Sequence, residues 1–413
     1  MTTPIANEDA ALDLPNLASE GLGAKIVFAT DEWFSQAPNM LQDSTAKFDE
    51  NTFTEYGKEM DGWECRRRRT EGNDWAIVKL GVPGVIDTIE VDTLWFTGNF
   101  SPQCSIYATY YASNSEPAEV QQCIDERAAA VAARGEKGLT DGRTGLCATE
   151  REIELVSRLG SDRWNVLVPL TPLGAGYVET SRTFFKIANA DKVSHLRLNM
   201  GPDGGIARLR VYGMVSRPAQ VASTGVVDLA YITNGGLAIG CSNMHYGHPR
   251  NLTNPGRGLV MGDGWETARQ PLRPPVYEKG ADGLMVLPVS DWAVLQLGTP
   301  GILTSVDVDT NHYKGNYPES CLLEGCELYP PAGTSLDELK KIVLQEGSSG
   351  PNWFPILSRS RLTSSAIHSF PLDAQAAYSG ATVTHVKITI YPDGGVQRLR
   401  VWGRPAGQGQ SRL

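Results

Sequence analysis

Two stretches, DGWECRR at 61–67 and DGWETAR at 263–269, each set a glutamate three residues before an arginine. Glu64 with Arg67, and Glu266 with Arg269, join a carboxylate able to activate a polar group to a planar guanidinium that matches a carboxylate ligand. The same spacing would also serve an ion pair bracing the base of a loop. A second matched pair, VDTLWFTGN (91–99) and VDTNHYKGN (308–316), sets Asp92, Thr93 and Asn99 opposite Asp309, Thr310 and Asn316. A third, PDGGIARLRVYG (202–213) and PDGGVQRLRVWG (392–403), contributes Asp203 and Arg208, then Asp393 and Arg398. Read as an alternating strand, Arg208 and Arg398 face outward beside the turn and could hold an anion, while Asp203 and Asp393 suit the turn itself. A shared core explains matched apolar residues but does not require matched polar ones. The polar matches are therefore the candidates for chemistry.

The histidines are less evenly shared. His312 stands where the first half has Trp95, and His368 falls near the position of Arg182, so a histidine base need not exist in both halves. His195 and His385 precede matched strands and are expected to satisfy local backbone groups. HYGH (245–248) puts two imidazoles in one loop, a metal-binding possibility without a counterpart in the first half. TDEWF (30–34) is set against TNGGL (233–237), which makes Asp31 and Glu32 a difference in competence between the halves. RRRR (66–69) reads as a solvated face, and only Arg67 has a partner in the other half. There is no nucleotide-binding glycine loop, GxSxG elbow or HExxH.

These residues need elements to hold them. DWAIVKLGVPG (74–84) matches DWAVLQLGTPG (291–301), and HLRLNMGPDGG (195–205) matches HVKITIYPDGG (385–395), all in the same order. One domain has been duplicated. The copies lie at about 24–215 and 226–405, with a tail over 1–23, a linker at 216–225 and a tail over 406–413. Leu196, Leu198 and Met200 alternate with polar residues, as do Val386, Ile388 and Ile390, so each unit reads as strands with one buried face. The expected fold is all-β dominated: two homologous jelly-roll β-sandwiches. The first carries a helical insertion at about 116–160, which covers an edge, meets another subunit or packs on its own domain.

The 413 residues suit two domains, and 43 Gly with 25 Pro suit a turn-rich fold. A formal net charge of −10 argues against a nucleic-acid binder, but a small anion remains compatible with a local basic pocket. Seven cysteines without CxxC spacing point away from disulfides and structural zinc, toward a reducing compartment. No apolar run reaches membrane-spanning length, and the N-terminus lacks a secretory pattern. Ser411-Arg412-Leu413 is close to a peroxisomal address, so a cytoplasmic or peroxisomal location is expected.

With DGWExxR, DWxxxxLGxPG, VDTxxxxGN and PDGGxxRLRVxG each present twice in order, residues 24–405 resemble the allantoicase family. The WxxxxLGxP segment is also similar to discoidin-type, galactose-binding-like sandwiches. The family resemblance implies hydrolysis of allantoate to ureidoglycolate and urea in purine degradation. It implies an arginine anchoring the substrate carboxylate, from Arg67, Arg269, Arg208 and Arg398. It implies a carboxylate activating water or assisting nitrogen departure, from Glu64, Asp92, Glu266 and Asp309. A donor to the leaving urea would come from Asn99, Asn316 or His312. A divalent metal could replace the base by acidifying water, yet no dependable ligand cluster is present. A homo-oligomer acting on a small molecule is expected, with no nucleic acid or membrane partner. Cys65 departs from Thr267, and Arg182 stands where a histidine is expected, so the first copy departs from the second at these two positions. The alternative is a non-catalytic tandem module binding sugar or another small ligand, with Trp63 and Trp265 as an aromatic shelf. A purely structural tandem sandwich leaves the paired polar loops unexplained.

Overall fold

The computed structural model describes residues 13–134, 143–216, 225–331, 334–345, 347, 350–372, 378 and 380–406. Two compact units divide at Ser216/Arg217. Ser411-Arg412-Leu413 lies outside the described residues, as does part of the segment read as a linker.

Unit 1 opens with β1 (Lys25–Ala29), the short β2 (Phe53–Thr54) and β3 (Gly57–Lys58), then β4 (Trp63–Glu64). β5 (Trp75–Asp92) and β6 (Gln103–Thr109) precede helices α1 (Ala118–Arg134) and α2 (Glu150–Ser157). β7 (Asn165–Pro172), β8 (Arg182–Lys186), β9 (Lys192–Met200), β10 (Gly205–Ile206) and β11 (Arg208–Val215) complete it. Unit 2 repeats the plan. It runs β12 (Val227–Asp228), β13 (Leu237–Cys241), β14 (Trp265–Glu266), β15 (Asp291–Asp309) and β16 (Ser320–Cys326). After α3 (Leu336–Val343) come β17 (Phe354–Arg361), β18 (Ile367–Pro371), β19 (Val383–Tyr391), β20 (Gly395–Val396) and β21 (Arg398–Pro405).

The 18-residue β5 serves both layers of its sandwich. Its first half pairs with β1 and β9, continuing to β6 and β7, and its second half pairs with β8 and β11. The register shifts between Lys79 and Gly84, at the LGVPG motif. A side chain at Gly84 would strike the Met214 carbonyl at 2.4 Å, so the crossing strand needs glycine there. β15 does the same in unit 2. Ala76, Val78, Ile106, Leu196 and Leu198 of one layer meet Ile89, Val91, Phe185, Leu209 and Val211 of the other in one core. Burial of alternate positions on facing strands is what makes this a sandwich.

α1 and α2 pack on the opposite face of the larger layer, around Val27, Phe28, Ile77, Val120, Cys123, Val156 and Leu159. Thr149 caps α2 reciprocally with Glu152. Seven cysteines, Cys65, Cys104, Cys123, Cys147, Cys241, Cys321 and Cys326, are free thiols. No described helix is long and apolar enough to cross a membrane.

Candidate active site

At one end of each sandwich the recurring motifs converge. Trp63 is fully buried and donates its indole N–H to the Asp31 carbonyl at 2.8 Å. Trp265 does the same to Asn243, also at 2.8 Å. Neither tryptophan is available as an exposed shelf; each supports its DGWE strand from beneath. The next residue, Glu64 or Glu266, sits between a loop residue on one side (Ser35 or Gly247) and the last glycine of PDGG on the other (Gly205 or Gly395). That glycine is obligatory: a Cβ on Gly205 would meet the Phe96 ring at 2.0 Å, and one on Gly395 the Tyr313 ring at 1.9 Å.

The two polar motifs meet at these glutamates. Asn99 donates from Nδ2 to Glu64 Oε1 at 2.7 Å, and Asn316 donates to Glu266 Oε1. Burial raises the Glu64 carboxyl from 4.5 to about 7, against the lowering effect of the Asn99 bond. A carboxyl stripped of water with one neutral partner holds its proton tightly. Glu64 does not pair with Arg67, which is exposed and lies 3.4 Å from Asp203. Arg269 is likewise exposed.

The outward reading of Arg208 and Arg398 is overturned. Both are buried, because the loop before each DGWE motif folds over the start of β11 or β21. Arg208 donates to the carbonyls of Ser44, Asp61 and Ala207 and to the Asp61 carboxylate at 2.9 Å. Arg398 donates to the carbonyls of Pro255, Asp263 and Gln397. Each guanidinium is a tie between three segments, with its fork already occupied. Asp203 and Asp393 also act at a distance, accepting the backbone N–H of Arg68 and Gln270, each at 2.8 Å.

Asp92 and Asp309 close the turns that follow their strands, accepting the N–H of Leu94 and Asn311. Burial raises the Asp92 carboxyl. Asp309 is instead held by Arg257, at 2.9 and 3.0 Å, an arginine absent from the sequence motifs. His312 and its counterpart Trp95 both adopt positive φ, 67° and 74°. Each reaches across to a loop carbonyl, Gly258 or Ala46. His312 thus sits on the same loop as Asn316, the partner of Glu266, and its ring is tied to a loop carbonyl.

Two sequence alignments and one reading of hydrogen-bond partners need correction. Asp31 answers to Asn243, not to the TNGGL segment: both take the indole bond on their carbonyl and accept a backbone N–H from Arg66 or Ala268. TDEWFS (30–35) therefore matches SNMHYG (242–247), and His245 has a counterpart in Trp33. His368 pairs with Val308, whereas Arg182 pairs with Asp92, so His368 is one residue out of step with Arg182 and on the other face. His195 and His385 lie inside β9 and β19 and bond the hydroxyls of Ser194 and Thr384, not backbone groups.

Two further charges are structural. Glu32 is buried against Arg127 of α1 and Arg143, with contacts of 2.7–2.9 Å, and pins the helical insertion. RRRR is more than a solvated face: Arg66 pairs with Asp31 at 2.7 Å and Arg68 with Asp74 at 3.0 Å. As for HYGH, His248 accepts the Arg250 N–H on Nδ1 and His245 stacks edge-on against Tyr246. Among the described residues no three His, Cys, Asp or Glu side chains converge as a metal-binding set.

The allantoicase repeat family matches the chain twice, over residues 15–216 and 227–406. A probable allantoicase of Pseudomonas fluorescens (strain SBW25) is 37% identical over 390 residues, 94% of this chain and 96% of that one. One from Pseudomonas savastanoi pv. phaseolicola is also 37% identical, with the same coverage. A crystal structure of allantoicase from Saccharomyces cerevisiae covers 98% of this chain and 100% of its own, with TM-score 0.67 and 30% identity.

Proposed function

The chain belongs to the allantoicase family, and on that premise we propose that allantoate is cleaved at the Glu–Asn pair of each unit. The protein is a hydrolase that converts allantoate to ureidoglycolate and urea in purine degradation. In that reaction the bond from the α-carbon to one ureido nitrogen breaks. Water's hydroxyl stays on the carbon, and its other hydrogen leaves with the nitrogen as urea.

Glu64 supports the reading best. A carboxyl raised to about 7 is half protonated near neutral pH, so it can take a proton from water and return one to the departing nitrogen. Asn99 fixes one carboxylate oxygen by donating to it. Glu266 and Asn316 reproduce the pair in unit 2. Arg67 and Arg269, exposed near the ends of the same strands, are the proposed anchors for the substrate carboxylate, since Arg208 and Arg398 are committed to loop carbonyls. Asp92, Asp309 and His312 are assigned to shaping the surrounding loops.

The test is the pair of variants Glu64→Gln and Glu266→Gln, alone and together, assayed for urea and ureidoglycolate with and without chelator. The double variant should lose about 100- to 10,000-fold in kcat; wild-type turnover in it would remove both glutamates from the chemistry. Chelator sensitivity would assign a metal to the reaction. A homo-oligomer is proposed on exposed Leu259, Leu272 and Val276 of unit 2, tested by light scattering. The peroxisomal address read in Ser411-Arg412-Leu413 is likewise a proposal, tested by locating the protein with and without those residues.

A further inference from the structure

A cleft of about 480 Å³ opens on the face of the larger unit 1 layer that is turned away from the sandwich core. Ser105, Tyr107, Arg197 and Asn199 line it because their neighbours Cys104, Ile106, Leu196 and Leu198 point into that core. Arg197 lies 3.9 Å over the Trp75 ring. Its Nε donates to Asn199 Oδ1 at 2.8 Å and one terminal nitrogen donates to Ser161 Oγ at 3.0 Å. Both partners are neutral. Among the described residues no carboxylate stands within ion-pair distance of it; Asp162, on the cleft wall, acts from farther away.

Unit 2 shows what is missing. At the matching ladder position Lys387 lies directly across from Glu324, whereas Arg197 lies across from Tyr107. Lys387 also faces its tryptophan, Trp292, at 5.5 Å. The cation-on-tryptophan arrangement is thus common to both units, but only unit 2 supplies an acid opposite. The wall bearing Ser161 and Asp162 follows the helical insertion, which has a shorter equivalent in unit 2. A half-buried guanidinium with neutral partners is costly unless an anion completes it.

We propose that this cleft binds a small carboxylate bearing amide or ureido N–H groups, its carboxylate opposite Arg197 and its N–H groups toward Asp162 and the side-chain carbonyls of Asn73 and Gln103. None of Glu64, Asn99, Glu266 and Asn316 lines this cleft, and the proposal does not depend on their assignment. N-carbamoylglycine, which carries one carboxylate and one ureido group, is the probe, titrated calorimetrically into the full chain. One binding event per chain should weaken at least about 10-fold in Arg197→Gln, the loss of a charge-assisted bond, while allantoate turnover stays within twofold. Urea, lacking the carboxylate, should not bind there. Tyr107→Glu installs the acid of unit 2 at a part-exposed position and should abolish the same event without disturbing the fold. Identical isotherms for the wild type and both variants would overturn the proposal. So would a fall in allantoate kcat parallel to the loss of probe binding, because the cleft would then belong to the reaction site.

Discussion

Replacing Glu64 by Gln should make unit 1 more stable and less active, in amounts set by one buried carboxyl. The raised value, about 7 against 4.5, means that the folded state holds a proton which the unfolded chain releases between those two pH values. Stability therefore falls as pH rises through that window, and the whole penalty is present above about pH 7. The shift corresponds to about 3 kcal/mol. Glutamine keeps the shape and can still accept from Asn99, so it removes the charge without opening a cavity. Chemical unfolding of wild type and Glu64→Gln should give equal stability at pH 4.5 and a variant more stable by about 2–3 kcal/mol at pH 8.5. Turnover should fall in the same variant, by the share of catalysis that unit 1 carries. A variant no more stable than wild type at pH 8.5 would refute the claim that Glu64 is a desolvated, chargeable group.

Arg208→Met should destabilise unit 1 by about 3–5 kcal/mol, since it strands three carbonyls and the Asp61 carboxylate; Arg398→Met should do the same in unit 2, both read from denaturant midpoints. Glu32→Gln leaves Arg127 buried without its carboxylate and Arg143 with Glu152 alone, so limited proteolysis should cut between α1 and α2 faster than in wild type. Arg67→Ala and Arg269→Ala should raise KM with little change in folding, because both side chains are exposed. Unchanged kinetics in both would dismiss them as anchors.

The β-sandwich was readable because runs such as Leu196–Met200 and Val386–Ile390 alternate and its motifs occur twice. DGWExxR and VDTxxxxGN were also readable as a pair, although which atoms meet was not: the glutamate takes asparagine, not the arginine three residues on. Alternation failed for Arg208 because a strand's first residue obeys the loop folded over it more than the sheet's two faces. The pairing of TDEWFS with SNMHYG escaped notice since Glu32 and Met244 share no chemistry. Glu32 serves, through Arg127 of α1, a helical insertion that is shortened in unit 2 to α3, and only the tryptophan indoles mark the equivalence. Arg197 carried no signal at all, because its significance lies in the absence of an acid across the ladder.

The long strand β5 has a kinetic consequence. Since one continuous segment is an inner member of both layers, neither layer can be completed while the other is open, and partial opening of one strains the backbone of the other. Each unit should therefore unfold all at once, without a half-sandwich intermediate. Its pairings join segments far apart in sequence, as β5 does with β11, which predicts slow, closure-limited folding. A backbone nick at the Gly81–Gly84 crossing would be the one cut that uncouples the layers, turning a single cooperative transition into two.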